Sequence, residues 1–315
     1  MIKNMLLIIV FISVLHSNEK AIATFNASGS VTDLVYQDSK LYAATDAGCV
    51  DIFDTATQKI IHKIKVAQIT DFMGESSDSK VYSVDLISNK TLLLSQGQKG
   101  ARRIHIYEDE TLKLVLPDTK KLFIAKAKFL DENTIILGLL SNEIISYDIQ
   151  KQEVNYRVQI SQSKFSDFVL GKNKKEIIIA DESGNLKIHD TKTAKLKSEL
   201  RGQNLDNVFQ VDTKNGVIAT AGQDRRIVIY TPKSGSVYYK TSNFLIYSVG
   251  LSPSGEIVGY SSDEKNNITV FNTVTKKKLG VYGGNKMTAT NILFINESEF
   301  FVATDDTIIN QFKIK

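Results

Sequence analysis

Short apolar runs of four to six residues, separated by polar turns rich in Gly, Asp, Asn and Ser, recur from about residue 20 to Lys315. Runs of that length suit strands, and no apolar face repeats long enough at helical spacing to imply a helix of more than a turn or two. Seven runs end in an aromatic or imidazole side chain: Val50-Asp51-Ile52-Phe53-Asp54, Ile104-His105-Ile106-Tyr107-Glu108, Ile144-Ile145-Ser146-Tyr147-Asp148, Leu186-Lys187-Ile188-His189-Asp190, Ile227-Val228-Ile229-Tyr230-Thr231, Ile268-Thr269-Val270-Phe271-Asn272 and Ile309-Asn310-Gln311-Phe312-Lys313. The ring-bearing positions are 54 residues apart in the first interval and 40 to 42 apart in the other five. A period of roughly 40–45 residues is that of one four-stranded propeller blade. The long first interval has a visible cause, because Gln68–Lys80 and Gly97–Arg103 add residues between the first two units.

Each unit repeats four strands in one order. Second strands such as Ile177-Ile178-Ile179-Ala180 are continuously apolar and read as buried on both faces. The ring-bearing third strands alternate and read as half-buried. The seventh unit ends after its third strand, whereas Ala21–Asn26 is a strand without a unit, so the opening segment is expected to complete the last blade and close the ring. The expectation is an all-β, seven-bladed β-propeller over residues 18–315.

Aromatic-acid endings such as Phe53-Asp54, Tyr147-Asp148 and His189-Asp190 resemble the Trp-Asp ending of WD40 repeats, over essentially residues 20–315. The pattern departs from that family in having no Trp and no Gly-His pair, and in placing Thr231, Asn272 and Lys313 where the acid belongs.

The first residues carry Lys3, an uncharged apolar run from Met5 to Leu15, then a polar stretch, the order of a secretory signal peptide. The run is too short to span a bilayer as a helix, so the expectation is cleavage after Ser17, export to the periplasm and no stable membrane insertion. No cysteine follows the run to take a lipid, and the single Cys49 reads as a small buried hydrophobe. A hydrophobic content of 42% with 23% charged residues supports a packed core. The net charge of +4 is spread along the chain without a basic stripe, which argues against a nucleic-acid partner.

Candidate chemistry is sparse. The four histidines are scattered, no Cys-x-x-Cys-His or paired cysteine offers a haem, cluster or zinc site, and no phosphate-binding Gly-rich loop is present. Asp181–Asn185 and Ser261–Asn267 lack the spaced carboxylates of a calcium loop and read as turns. No catalytic residue, cofactor or metal is expected. First-strand residues expected to line the central channel are Asp33, Ser83, Lys126, Asp167, Gln210, Ser248 and Asn291, with only two carboxylates, three blades apart.

Function is therefore expected on loops. The Ala67–Lys80 insertion brings Ile69, Asp71, Phe72 and Met73, read as an exposed apolar tip with a polar rim. The loops Gln96–Arg103 and Gly222–Arg226 bring Lys99, Arg102, Arg103, Arg225 and Arg226, whose planar donors suit carboxylates on a partner. All three loops are expected on one face of the disc, as one patch for a protein partner of a monomeric chain.

The leader, the Ile69–Gly74 stretch followed by Lys80–Asp85, the Gly97–Arg103 loop and the lysine/isoleucine bias resemble the L-type accessory proteins of the periplasmic nitrate reductase system of ε-proteobacteria. That resemblance implies a role in maturation or activity of a molybdenum-containing nitrate reductase, whose subunits would be the partners. The competing readings are a general envelope scaffold and a propeller hydrolase or lactonase with a channel-bound metal.

Overall fold

The structure, a computed structural model, describes residues 18–71 and 73–315. The leader and its cleavage position lie outside the described residues, as does Phe72. Seven four-stranded antiparallel sheets follow one another along the chain. In blade one the order outward is Val31–Gln37, Lys40–Thr45, Cys49–Asp54 and Lys59–Lys65. The first strands of successive blades pack on one another all the way round, so they form the inner wall of a closed disc. The chain is a seven-bladed β-propeller.

The second strands are buried as their composition requires, with Glu176–Asp181 closed to solvent from Ile177 onward. Three third strands correct the half-buried reading, since Cys49–Asp54, Glu143–Asp148 and Arg226–Thr231 are buried along nearly their whole length, whereas Leu186–Asp190 and Ile268–Asn272 keep Lys187 and Thr269 partly exposed. Blades stack face to face, so both sides of a third strand are covered, and the alternating polar residues meet partners between blades instead of water. Asp51, fully buried, accepts from the backbone and hydroxyl of Ser28 at 2.6 and 2.8 Å. Asn310 donates to Asn285 at 2.9 Å.

The recurring aromatic fills the space between blades. Phe53, Phe271 and Phe312 are almost inaccessible, and His189 fills the same slot in blade four, donating from Nδ1 to the Ala194 carbonyl at 2.8 Å. The polar residue after it has a separate task. Asp54, Asp148 and Asp190 accept the backbone N–H of Thr57, Lys151 and Thr193 at 2.7–2.8 Å, fastening the next turn. Asn272, a departure from the acid pattern, does the same for Thr275 at 2.7 Å.

The sheet of the seventh blade contains Ala289–Phe294, Glu299–Thr304, Ile308–Lys313 and, on its outer edge, Ala23–Asn26. Thr24 faces Asn310 and Phe25 faces Ile309 in an antiparallel register. Phe25 is fully buried, edge-on to Phe53 of blade one and Phe301 of blade seven at 5.6 and 5.5 Å. One ring thus ties the first blade to the last. Phe25→Ala is expected to destabilise the fold by about 3–5 kcal/mol, read from urea unfolding. Removal of residues 18–26 should lower the melting temperature further or leave the chain insoluble.

Candidate functional site

Polar and exposed side chains concentrate in two regions, the central channel and the face bearing the longer loops.

Six of the seven first strands carry a bulge at the same point, between Val31 and Asp33, Val81 and Ser83, Ile124 and Lys126, Phe165 and Asp167, Val208 and Gln210, and Ala289 and Asn291. A bulge re-aims the side chain that follows it. At each position that side chain is one of the polar residues expected at the channel, and in blade six Ser248 precedes the strand Val249–Leu251.

These residues reach across blade boundaries. Asp33 accepts the backbone N–H of Val84 at 3.0 Å, Asp167 that of Val211 at 3.0 Å, and Gln210 that of Val249 at 2.9 Å. Ser83 accepts from the N–H of Ala127 at 3.3 Å. Lys126 meets Asp167 at 2.7 Å, and Asn291 donates to Asp33 at 3.2 Å across the boundary between blades seven and one. The acceptors satisfy inner-edge N–H groups that have no neighbouring strand. Between blades six and seven the backbones themselves come close, and a Cβ on Gly250 would lie 2.1 Å from the Ile292 carbonyl oxygen. Only glycine fits there without movement.

The channel holds more charge than the sequence reading allowed. Asp85 and Asp212, two positions further along their strands, join Asp33 and Asp167. The resulting cavity of about 340 Å3 faces four aspartates and four lysines, Lys126, Lys128, Lys174 and Lys214. Lys128 lies 3.2 Å from Asp33 and 3.8 Å from Asp85, and donates to the Val84 carbonyl at 2.8 Å. Burial disfavours its ammonium, but the two carboxylates outweigh that and raise its pKa. Burial in turn pushes the Asp85 carboxyl up, against the pull of Lys128 and the Phe129 N–H. The carboxylates are thus used on lysines and backbone N–H groups. Among the described residues no group of three or more His, Cys, Asp or Glu is placed to hold a metal. No helix among them is long and apolar enough to cross a membrane.

Strand directions alternate, so second-to-third connections and blade-to-blade connections share one face of the disc. Ala67–Lys80, Gln96–Arg103 and Gly222–Arg226 all lie on this face. The insertion folds as a small hairpin pairing Ile69–Thr70 with Ser76–Ser77. Ile69 is buried, correcting its reading as an exposed tip, because its strand packs the hairpin down on the blade. Asp71 caps the turn, accepting the N–H groups of Met73 and Glu75 at 2.8 and 2.9 Å. Met73 is 71% exposed.

Lys99 is exposed in the Gln98–Gly100 turn. With its amide oriented to match, Gln98 bridges the Thr70 backbone at 2.9 and 3.0 Å, joining hairpin to turn. The arginines are less free than the sequence suggested. Arg102 lies over the Tyr82 ring at 3.9 Å, and Arg103 donates to the Gln96 carbonyl at 3.1 Å near Asp118. Arg226 lies over Tyr239 at 4.0 Å and donates to the Gln203 carbonyl at 2.8 Å, leaving Arg225 the exposed member of its pair. The Arg102/Arg103 loop is in blade two and the Arg225/Arg226 loop in blade five, as far apart as a seven-membered ring allows, so the three loops are not one contiguous patch.

The sequence reading missed exposed apolar residues in shorter loops. Phe123, Leu140, Leu205 and Met287 are 42–65% exposed and lie, with Met73, on this face; the opposite face has only Val274 among the large exposed hydrophobics of its described loops. The signal was an apolar residue inside a polar turn, as in Lys120-Lys121-Leu122-Phe123. Beneath the same face, buried Asn142 donates to Asp181 at 2.9 Å, which also accepts from Ser161 at 2.7 Å and clamps blade three to blade four.

Fold and channel together define a WD40-like seven-bladed β-propeller whose inner ring is a structural network. The crystal structure of the β-propeller domain of Cps50 (Swd1) from Myceliophteria thermophila is similar, with a TM-score of 0.76 at 14% identity over 94% of this chain and 99% of that one. No family model and no curated protein matches the sequence.

Lys128→Met strands Asp33 and Asp85 in the channel wall and should cost about 3–5 kcal/mol in urea unfolding. Lys214→Met, at a lysine 39% exposed, should cost at most about 1 kcal/mol. Burial alone would raise the Asp181 carboxyl, but hydrogen bonds from Ser161 and Ser183 and the charge of Lys187 hold it below its ordinary 3.8. Its stabilisation is therefore full above that value and lost as pH falls through the lower folded one. Asp181→Asn should cost about 1–3 kcal/mol at neutral pH, and the difference should disappear in strong acid.

Proposed function

We propose that the chain is an exported, non-catalytic propeller that binds other proteins through the face carrying Met73, Phe123, Leu140, Leu205 and Met287, and that it serves in the periplasm as an accessory or assembly factor for nitrate reductase. The observation that carries the binding face is the uneven distribution of large exposed apolar residues in the described loops, five on one face against one on the other. Exposed apolar side chains rimmed by polar ones are what a protein contact uses. The non-catalytic reading is supported by the channel, whose polar side chains are spent on holding the inner strands together. Export is supported by the leader pattern, and the nitrate reductase role by the resemblance of Ile69–Gly74 and Gly97–Arg103 to the L-type accessory proteins.

Affinity capture of the tagged chain from the native periplasm, read by mass spectrometry, tests these points together. Nitrate reductase subunits should be recovered by the parent chain and by Val274→Ser, and lost with Phe123→Ser/Leu205→Ser. Steady enrichment of a different complex by the same face would replace nitrate reductase with another envelope client. A stoichiometric metal or chromophore in the purified protein would overturn the non-catalytic reading.

A further inference from the structure

One part of the loop-bearing face combines an apolar floor with a surplus of cations. The connection from blade two to blade three, Pro117–Phe123, runs beside the turn at Leu140–Asn142, where the Leu140 N–H donates to the Phe123 carbonyl at 2.9 Å. Between them lies an open groove lined by Leu122, Phe123 and Leu140, with Lys121 at its edge. Its other charged residues, Glu143 and Arg157, neutralise each other through two hydrogen bonds at 2.6 and 2.8 Å. On the blade-two side, a Cβ on Gly100 would lie 3.4 Å from the Phe123 ring, which places the exposed Lys99 next to it. Lys120 and Lys121 are exposed, and neither they nor Lys99 has an ion-pair partner within 4 Å among the described residues. The neighbouring Asp118 is engaged by the Gln98 N–H at 2.8 Å and by Arg103.

The apolar point at Leu205 lacks that surplus. Leu205 precedes Asp206, and its N–H donates to Asp224 at 2.7 Å. We propose that the groove at the junction of blades two and three docks an acidic protein segment, an apolar side chain seated on Phe123 and Leu140 and flanking carboxylates facing Lys99, Lys120 and Lys121. The apolar contact supplies affinity and the lysines set orientation and encounter rate. This inference rests on the protein-binding reading of the loop-bearing face and narrows it to one place and one partner chemistry.

Selection of a random displayed-peptide library on the full purified chain tests it. Enriched peptides should carry acidic residues around an apolar anchor. Their affinity, measured by fluorescence anisotropy, should fall about tenfold or more with Phe123→Ser and with Lys120→Glu/Lys121→Glu, weaken with salt, and be unchanged by Leu205→Ser. These positions are on the surface, and an unchanged melting temperature identifies variants that keep the fold. Peptides without acid, peptides indifferent to both groove variants, or no enrichment would overturn the proposal. Peptides lost only with Leu205→Ser would overturn it while leaving the loop-bearing face as the binding face; peptides lost only with Val274→Ser would remove both. A dimer in sedimentation that dissociates with Phe123→Ser, or preferential binding to phosphatidylglycerol vesicles, would assign the groove to a second copy or to a lipid surface and overturn it equally.

Discussion

Every blade of this protein begins with an edge strand whose outward N–H groups face the channel with no further strand to receive them. The need to supply acceptors organises the molecule. In six blades a bulge near the start of the strand turns one polar side chain toward the neighbouring blade, and in four of them, Asp33, Ser83, Asp167 and Gln210, that side chain takes the neighbour's N–H. Asp33 to Val84, Asp167 to Val211 and Gln210 to Val249 are versions of one contact. Seven sheets that could each pair with a foreign strand instead hold each other. The lysines follow from the carboxylates, since buried aspartates without counter-charge would cost more than the hydrogen bonds return.

The blade count was legible because the aromatic slot is a packing requirement: the wedge between blades needs a flat side chain at one depth, so the spacing survives even where His189 replaces the ring hydrocarbon. The channel positions were legible for a similar reason, as polar residues at the head of otherwise apolar strands. The second tier, Asp85 and Asp212, was not, because a carboxylate two residues further along a strand looks like an ordinary solvent-facing alternation until the bulge is known. Three of the third strands were misjudged because alternation in sequence does not distinguish water from a polar partner in the next blade. Asp51 against Ser28 is such a case.

The loops were read less well. Long insertions drew attention, yet Ile69 turned inward and Asp71 was occupied with its own turn. Arginine pairs looked like open donors, but Arg102 and Arg226 spend their guanidinium faces on Tyr82 and Tyr239. Met73 stayed exposed as expected, and single residues in short connections, Phe123 and Leu140, proved exposed beside it. Their visibility depends on which connections share a face, a property of strand direction that only the fold supplies.

At the seam between the last blade and the first, Thr24 and Asn310 are neighbours although 286 residues separate them, and Lys315 reaches Glu19 at 2.6 Å. Both ends of the described chain therefore lie at one place on the rim. The ring has no intrinsic beginning: its starting blade is set by where the polypeptide is cut. A chain with these ends linked and a new opening in a two-residue turn such as Ser88-Asn89 would keep the same neighbours in the disc, but the outermost strand of the last blade would no longer depend on the most distant pairing in the sequence. The present arrangement makes that pairing the costliest loop to close.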